Sequence, residues 1–255
     1  MEAGISRRRR VALAPTMYAE VEIMTQPSSL SAAAIATRSA QRPERLIRRV
    51  VAVAIVGGPL GYLVGSALHP PVQQVGEGGL TIAANAGADP VINGVHLAAY
   101  VVASFLLPIG AAGLGYLAYR RTPRLATIGG LLGVAGWLPF AALTALDDLA
   151  RTMADLPDSS RYAELYSRFE TGPIMLLFLL VYVVAHLVAY VLLGIALLRA
   201  RVIPRWAAWS LIASSPVTMA GFVLPGRPVA TVGIAGLGLL LIGSLPAARA
   251  IVQQR

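Results

Sequence analysis

Apolar positions along the chain gather in six blocks, 50–68, 91–119, 125–146, 174–198, 207–224 and 229–245, where a soluble protein would show a strand or amphipathic-helix alternation. A helix rises about 1.5 Å per residue and a hydrocarbon core is about 30 Å thick, so each block predicts a membrane-crossing helix. The expected fold is all-α, a polytopic integral membrane protein with six transmembrane helices over residues 50–252. A leader, 1–49, rich in Arg, Ser and Ala, is expected to be disordered. Asp89 and Pro90 read as the N-cap and first helical residue of the second span.

Two longer connections stand out. Residues 69–90 hold His69, Pro70, Pro71 and several glycines and read as an irregular loop. In 147–173, Leu149, Met153 and Leu156 follow Leu146 at helical spacing, and Tyr162, Leu165, Tyr166 and Phe169 resume it after a break at 157–160. That pattern predicts two short amphipathic helices on the outer leaflet.

The distribution of charge gives these spans a direction. The chain carries 21 basic and 12 acidic residues, a formal net charge of +9, and every basic residue is arginine. Nine arginines lie in 1–49; Arg120, Arg121 and Arg124 follow the second block, Arg199, Arg201 and Arg205 the fourth, and Arg249 and Arg255 the sixth. The alternate connections hold only Arg151, Arg161, Arg168 and Arg227. Arginine-rich short segments stay on the cytoplasmic side, so both termini are expected there, with 69–90 and 147–173 outside a plasma (inner) membrane. Each arginine near an anionic lipid surface contributes about 1 kcal/mol of attraction, which makes the bilayer the expected partner. Nucleic acid is not expected, because no aromatic residues interleave with the basic runs. Met24 is an alternative first residue of the native chain. Gly65 and Ala67 are spaced as a signal cleavage site would need, but the length of the first block favours an uncleaved anchor.

Composition narrows the chemistry. With 56% hydrophobic and 13% charged residues, an independently soluble enzyme is excluded, and with no cysteine there is no thiolate nucleophile, disulfide or cysteine metal site. No metal or cofactor is assigned. Within the blocks, Gly57, Gly61 and Gly65, and again Gly129 and Gly133, recur every fourth residue and predict close helix packing. Pro59, Pro108, Pro139 and Pro216 predict kinks. Polar stripes run at intervals of four: His96, Tyr100 and Ser104; Tyr182, His186 and Tyr190; Ser210, Ser214 and Thr218. From these come the expected ligand-binding residues, His186, Tyr182, Tyr190, Tyr100, Ser104 and Ser214. Counted from Arg120 and Arg199, His96 and His186 differ in depth by about 16 Å, which disfavours a shared haem. His96 falls near the outer interface, where a solvated or lipid-facing ring is expected. The blocks contain no Asp, Glu or Arg, which weakens ion-coupled transport.

The connector Leu-Arg-Ala-Arg-Val-Ile-Pro-Arg-Trp, Leu198 to Trp206, resembles the short Arg/Pro/Trp connector of multi-pass actinobacterial membrane proteins of unknown function, a likeness that covers roughly the six-span region. It implies a similar membrane architecture and no activity. The expected function is a non-catalytic helical bundle that supports a membrane protein partner or binds a small apolar molecule between spans two, four and five. The alternative is a permease or exporter using the kinked spans. The enzyme reading has one opening, an external carboxylate acting with His69 or His96.

Overall fold

The computed structural model describes residues 28–71, 74–223 and 228–254, with side chains from residue 44 onward except those of 222–232. Met24, Arg7 to Arg10 and Arg227 lie outside the described residues. The chain divides into two units, Met1–Leu46 and Ile47–Arg255. Helices account for nearly all described residues, and no strand occurs among them.

Five helical stretches are long and apolar enough to cross a membrane: Glu44–Leu68, Pro90–Tyr119, Pro123–Ala154, Pro173–Ala200 and Gly233–Gln253. The first belongs to α1 (Ser28–Leu68), so residues 28–49, expected to be disordered, are helical. Their Ala- and Arg-rich composition is intrinsically helix-favouring. The second is α3 (Pro90–Tyr119), whose N-terminus is built as read from the sequence: the Asp89 carboxylate accepts from the amides of Val91 and Ile92, each at 2.9 Å, with Pro90 at the first helical position.

The third stretch breaks at Pro139 into α4 (Pro123–Trp137) and α5 (Phe140–Ala154). This corrects the expected boundary at Leu146. The helix carries Asp147, Asp148 and Arg151 in its last turns, where a free-standing surface helix was expected. A 3₁₀ turn (Ser159–Tyr162) and α6 (Ala163–Glu170) complete that connection. The other long connection is corrected too: it contains α2 (Gly78–Ala86), which buries Ile82 and holds Asn85 against Thr81 and Asn93.

The remaining helices are α7 (Pro173–Ala200), α8 (Arg205–Val223) and α9 (Pro228–Gln253). The 19 residues of α8 pack against α7 and α9, although the end of its apolar block lies outside the described residues. The glycines approach their neighbours inside the chain: Gly57, Gly61 and Gly65 face Leu106, Ala99 and Tyr100 of α3, Gly129 faces Leu193 of α7, and Gly133 faces Ala111 and Ala189. The guanidinium of Arg121 donates to the carbonyl of Ala200 at 2.5 Å, at the end of α7. The α3–α4 turn and the α7–α8 connector therefore share one end of the bundle. The opposite end, where α1 stops and α3 begins, carries α2, α6 and a second small core of Ile82, Leu146, Ala150, Met153, Tyr166 and Met175.

Candidate metal centre

Most of the expected ligand-binding residues are built into the packed core. Tyr182, His186 and Tyr190 of α7, Tyr100 of α3 and Ser214 of α8 are all buried. The hydroxyls of Tyr62 and Tyr182 hydrogen-bond to each other, and the Trp137 indole N–H donates to Tyr190 Oη at 3.1 Å. His186 lies 4.6 Å, centroid to centroid, from both Trp137 and Tyr182, and its Nδ1 bonds the Tyr182 backbone carbonyl. Where His186, Tyr190 and Ser214 meet, the free space is about 10 Å³, room for no more than a water. Among the described residues, no buried side-chain nitrogen or oxygen lacks a partner. Ser104 does not join the group. It is partly exposed on the outer side of α3 and bonds the carbonyl of Val101 at 2.7 Å.

A different constellation forms at the end of the bundle where α1 terminates. His69, one residue past α1, His96, on the second turn of α3, and Asp147, midway along α5, each offer a ligand atom, and these atoms lie within 4.8 Å of one another. His96 is not lipid-facing as expected: it is 1% exposed. Helix rotation turns it inward, where its Nδ1 lies 2.9 Å from the carbonyl of Gly65. Gly65, without a side chain, lets Tyr100 close against α1; Tyr100 holds Ser66 at 3.0 Å and abuts the His96 ring at 4.5 Å. The His69 Nδ1 lies 2.5 Å from the carbonyl of Pro70.

These two contacts decide the tautomers. A carbonyl oxygen only accepts, so each Nδ1 carries a hydrogen and each neutral ring keeps its lone pair on Nε2. The Nε2 of His69 then faces Asp147 Oδ2 across 3.6 Å. Two acceptors so placed call for a cation between them, a proton or a metal ion. Imidazoles oriented through Nδ1–H by backbone carbonyls are also the usual outer-shell support of metal-ligating histidines. In a tetrahedral zinc site with bonds of about 2.1 Å the ligand atoms stand about 3.4 Å apart, so binding needs side-chain movements of about 1 Å. Two nitrogens and one carboxylate suit zinc or ferrous iron and leave a coordination position open.

The cluster opens on a cavity of about 190 Å³ whose wall also carries Glu170, Tyr166, Asn85 and Thr81. Glu170 ends α6 and accepts from the amide of Gly76 at 2.8 Å. Gly76 adopts φ +95°, a region that disfavours other residues, and its carbonyl accepts from Ser167 Oγ at 2.9 Å. This glycine turn fastens the α1–α2 connection to α6 and fixes the carboxylate. Burial pushes the Glu170 carboxyl above the usual range; the Gly76 amide partly offsets this and Asp147 adds to it. For His69, burial is the largest single influence and lowers its basicity, but hydrogen bonding and charge from Asp147, with help from the Pro70 carbonyl, more than compensate, and its pKa is raised.

The sign of a pH effect follows. A pKa raised on folding contributes stability that is complete below the unfolded value of about 6.5 and is lost as pH rises through the folded value. The stability contributed by His69 is therefore larger at about pH 6 than at about pH 8, and His69→Gln should lower the melting temperature of the metal-free protein more at about pH 6 than at about pH 8. Thermal denaturation of chelator-treated protein checks this; an unchanged pH dependence in His69→Gln would mean the pair contributes nothing.

No local spacing in the sequence signals a metal, because the three residues of the cluster are separated by 27 and 51 positions. No family model matches the chain, and no curated protein or solved structure matches it significantly.

Proposed function

We propose that the chain is a six-span plasma-membrane enzyme in which α8 crosses in addition to the five longer stretches, and that His69, His96 and Asp147 hold a divalent transition-metal ion of the zinc class for hydrolysis at the outer face. The observation that carries this reading is the cluster itself: two imidazoles whose Nδ1 atoms are held by backbone carbonyls, converging with a carboxylate in a chamber lined by a second carboxylate. A zinc ion held by these three residues would lower the pKa of a water bound to it to about 7. Glu170, lining the same chamber and disposed to take a proton, serves as general base. It accepts a proton from water as the water oxygen bonds to a carbonyl carbon. The bond to the leaving group then breaks and the leaving group takes that proton.

Support for the orientation comes from arginine. Arg121 reaching Ala200 brings two arginine-rich connections to one end, and the His69 cluster lies at the other. The permease alternative draws no support from the core around His186, where the polar side chains are bonded to backbone carbonyls and neighbouring aromatic residues and the free space is about 10 Å³.

Purified full-length protein, stripped with chelator and titrated with zinc, should bind one equivalent with sub-micromolar affinity and gain thermal stability. Binding no greater than an empty-detergent blank would overturn the metal reading. In a second arm, an impermeant thiol reagent applied to intact cells should label Ser160→Cys and spare Thr122→Cys; the opposite pattern would put the chamber inside.

A further inference from the structure

On the flank of the bundle, between α5 and the start of α7, runs a larger cavity of about 680 Å³. Leu146, Leu149, Phe169, Ile174, Met175 and Phe178 form its walls. Arg168 is the charged residue that lines it, and its guanidinium is already paired with Glu164 at 2.6 Å. The cavity therefore offers apolar surface and no free charge. It lies along two stretches of membrane-crossing length, and Phe169 and Ile174 are 52% and 67% exposed. The groove is thus apolar and open to the surroundings of the bundle, at the end where the 147–173 connection joins it.

Leu146 and Met175 also line the metal chamber, so the two spaces share a wall one side chain thick. Asp147 follows Leu146 directly on α5. The groove therefore runs past the residue next to a member of the cluster, and its volume falls within the range of about 300–1,000 Å³ typical of small-molecule sites.

We propose that the substrate is a membrane amphiphile with one long hydrocarbon chain, the chain seated in the α5–α7 groove and its ester or amide carbonyl presented to the metal chamber. This rests on the hydrolytic reading above. Hydrolysis consumes one water and yields a long-chain carboxylic acid and the headgroup alcohol or amine. Remote apolar contacts of this kind position the reacting carbonyl, so their loss lowers turnover as well as binding.

The test uses the zinc-loaded full-length protein in mixed micelles, with p-nitrophenyl acetate, octanoate and palmitate as probes. The expected kcat/KM rises with chain length, by at least about tenfold from acetate to palmitate. Ala145, exposed on the groove wall, can accept a larger side chain without disturbing the core. Ala145→Trp should cut the palmitate-to-acetate ratio at least about tenfold, with its zinc stoichiometry confirming that the variant is folded. Equal turnover of all three esters, or an unchanged ratio in Ala145→Trp, would overturn the groove assignment while leaving hydrolysis intact. Turnover of none of the three above the Asp147→Ala background would remove the hydrolytic reading beneath it, and the groove assignment with it.

Discussion

Asp147→Ala protein, stripped and titrated with zinc, should bind at least about 100-fold more weakly than the native chain, a loss of about 2.7 kcal/mol. The cluster has a single anionic ligand. Without it the site is two neutral imidazoles, and metal-induced thermal stabilisation should disappear with the affinity. The neighbouring residue supplies the control. Asp148 is exposed and lines a different depression, with Ser104, Thr144 and Arg151. Asp148→Ala removes the same charge from the same helix and should leave zinc affinity within about threefold, as expected for a screened surface charge. Isothermal titration of both variants settles the matter: equal weakening would mean that general negative charge attracts the ion, and no weakening in Asp147→Ala would remove the aspartate from the centre.

Gly136→Val should destabilise the bundle by about 3 kcal/mol, which lowers the thermal midpoint by about 10 °C for a chain of this size. A Cβ at Gly136 would come within 3.0 Å of backbone atoms of Ala185 and His186 on α7. Backbone cannot rotate away as a side-chain tip can. The two helices must separate, and the contacts of Trp137 with His186 and Tyr190 go with them. Gly238 of α9 has nothing within 4 Å of the same position. Gly238→Ala should leave the midpoint unchanged or raise it slightly, since alanine favours helix over glycine by up to about 1 kcal/mol. Thermal unfolding of the two variants followed by circular dichroism distinguishes close approach from a general dislike of losing glycine. Equal midpoints would show that α4 and α7 are not held at this separation.

The sequence marks Gly129 and Gly133 but not Gly136. Those two repeat at four, the interval that marks a helix face. Gly136 falls three residues on, and only the crossing of α4 over α7 shows that it too lies at the contact. The polar stripes have a similar history. Spacing placed Tyr182, His186 and Tyr190 on one face of one helix, but it could not say what that face meets. The answer is Trp137, Phe140 and Tyr62, with almost no space left over.

Block length and the apolar run determined the helical class and the position of most of the helices long enough to cross a membrane, because an apolar run of that length satisfies its backbone hydrogen bonds within itself only as a helix. The Asp89–Pro90 helix start was legible for the same kind of reason, since a cap is a contact between residues two and three apart. Only the tertiary structure decided the centre. His69, His96 and Asp147 belong to three different elements, and one of them is reached only because α5 continues past Leu146 into what composition marks as a connection. Hydropathy measures how far a segment resembles oil; it carries no information on helix rotation, and rotation is what turned His96 from the bilayer to the carbonyl of Gly65.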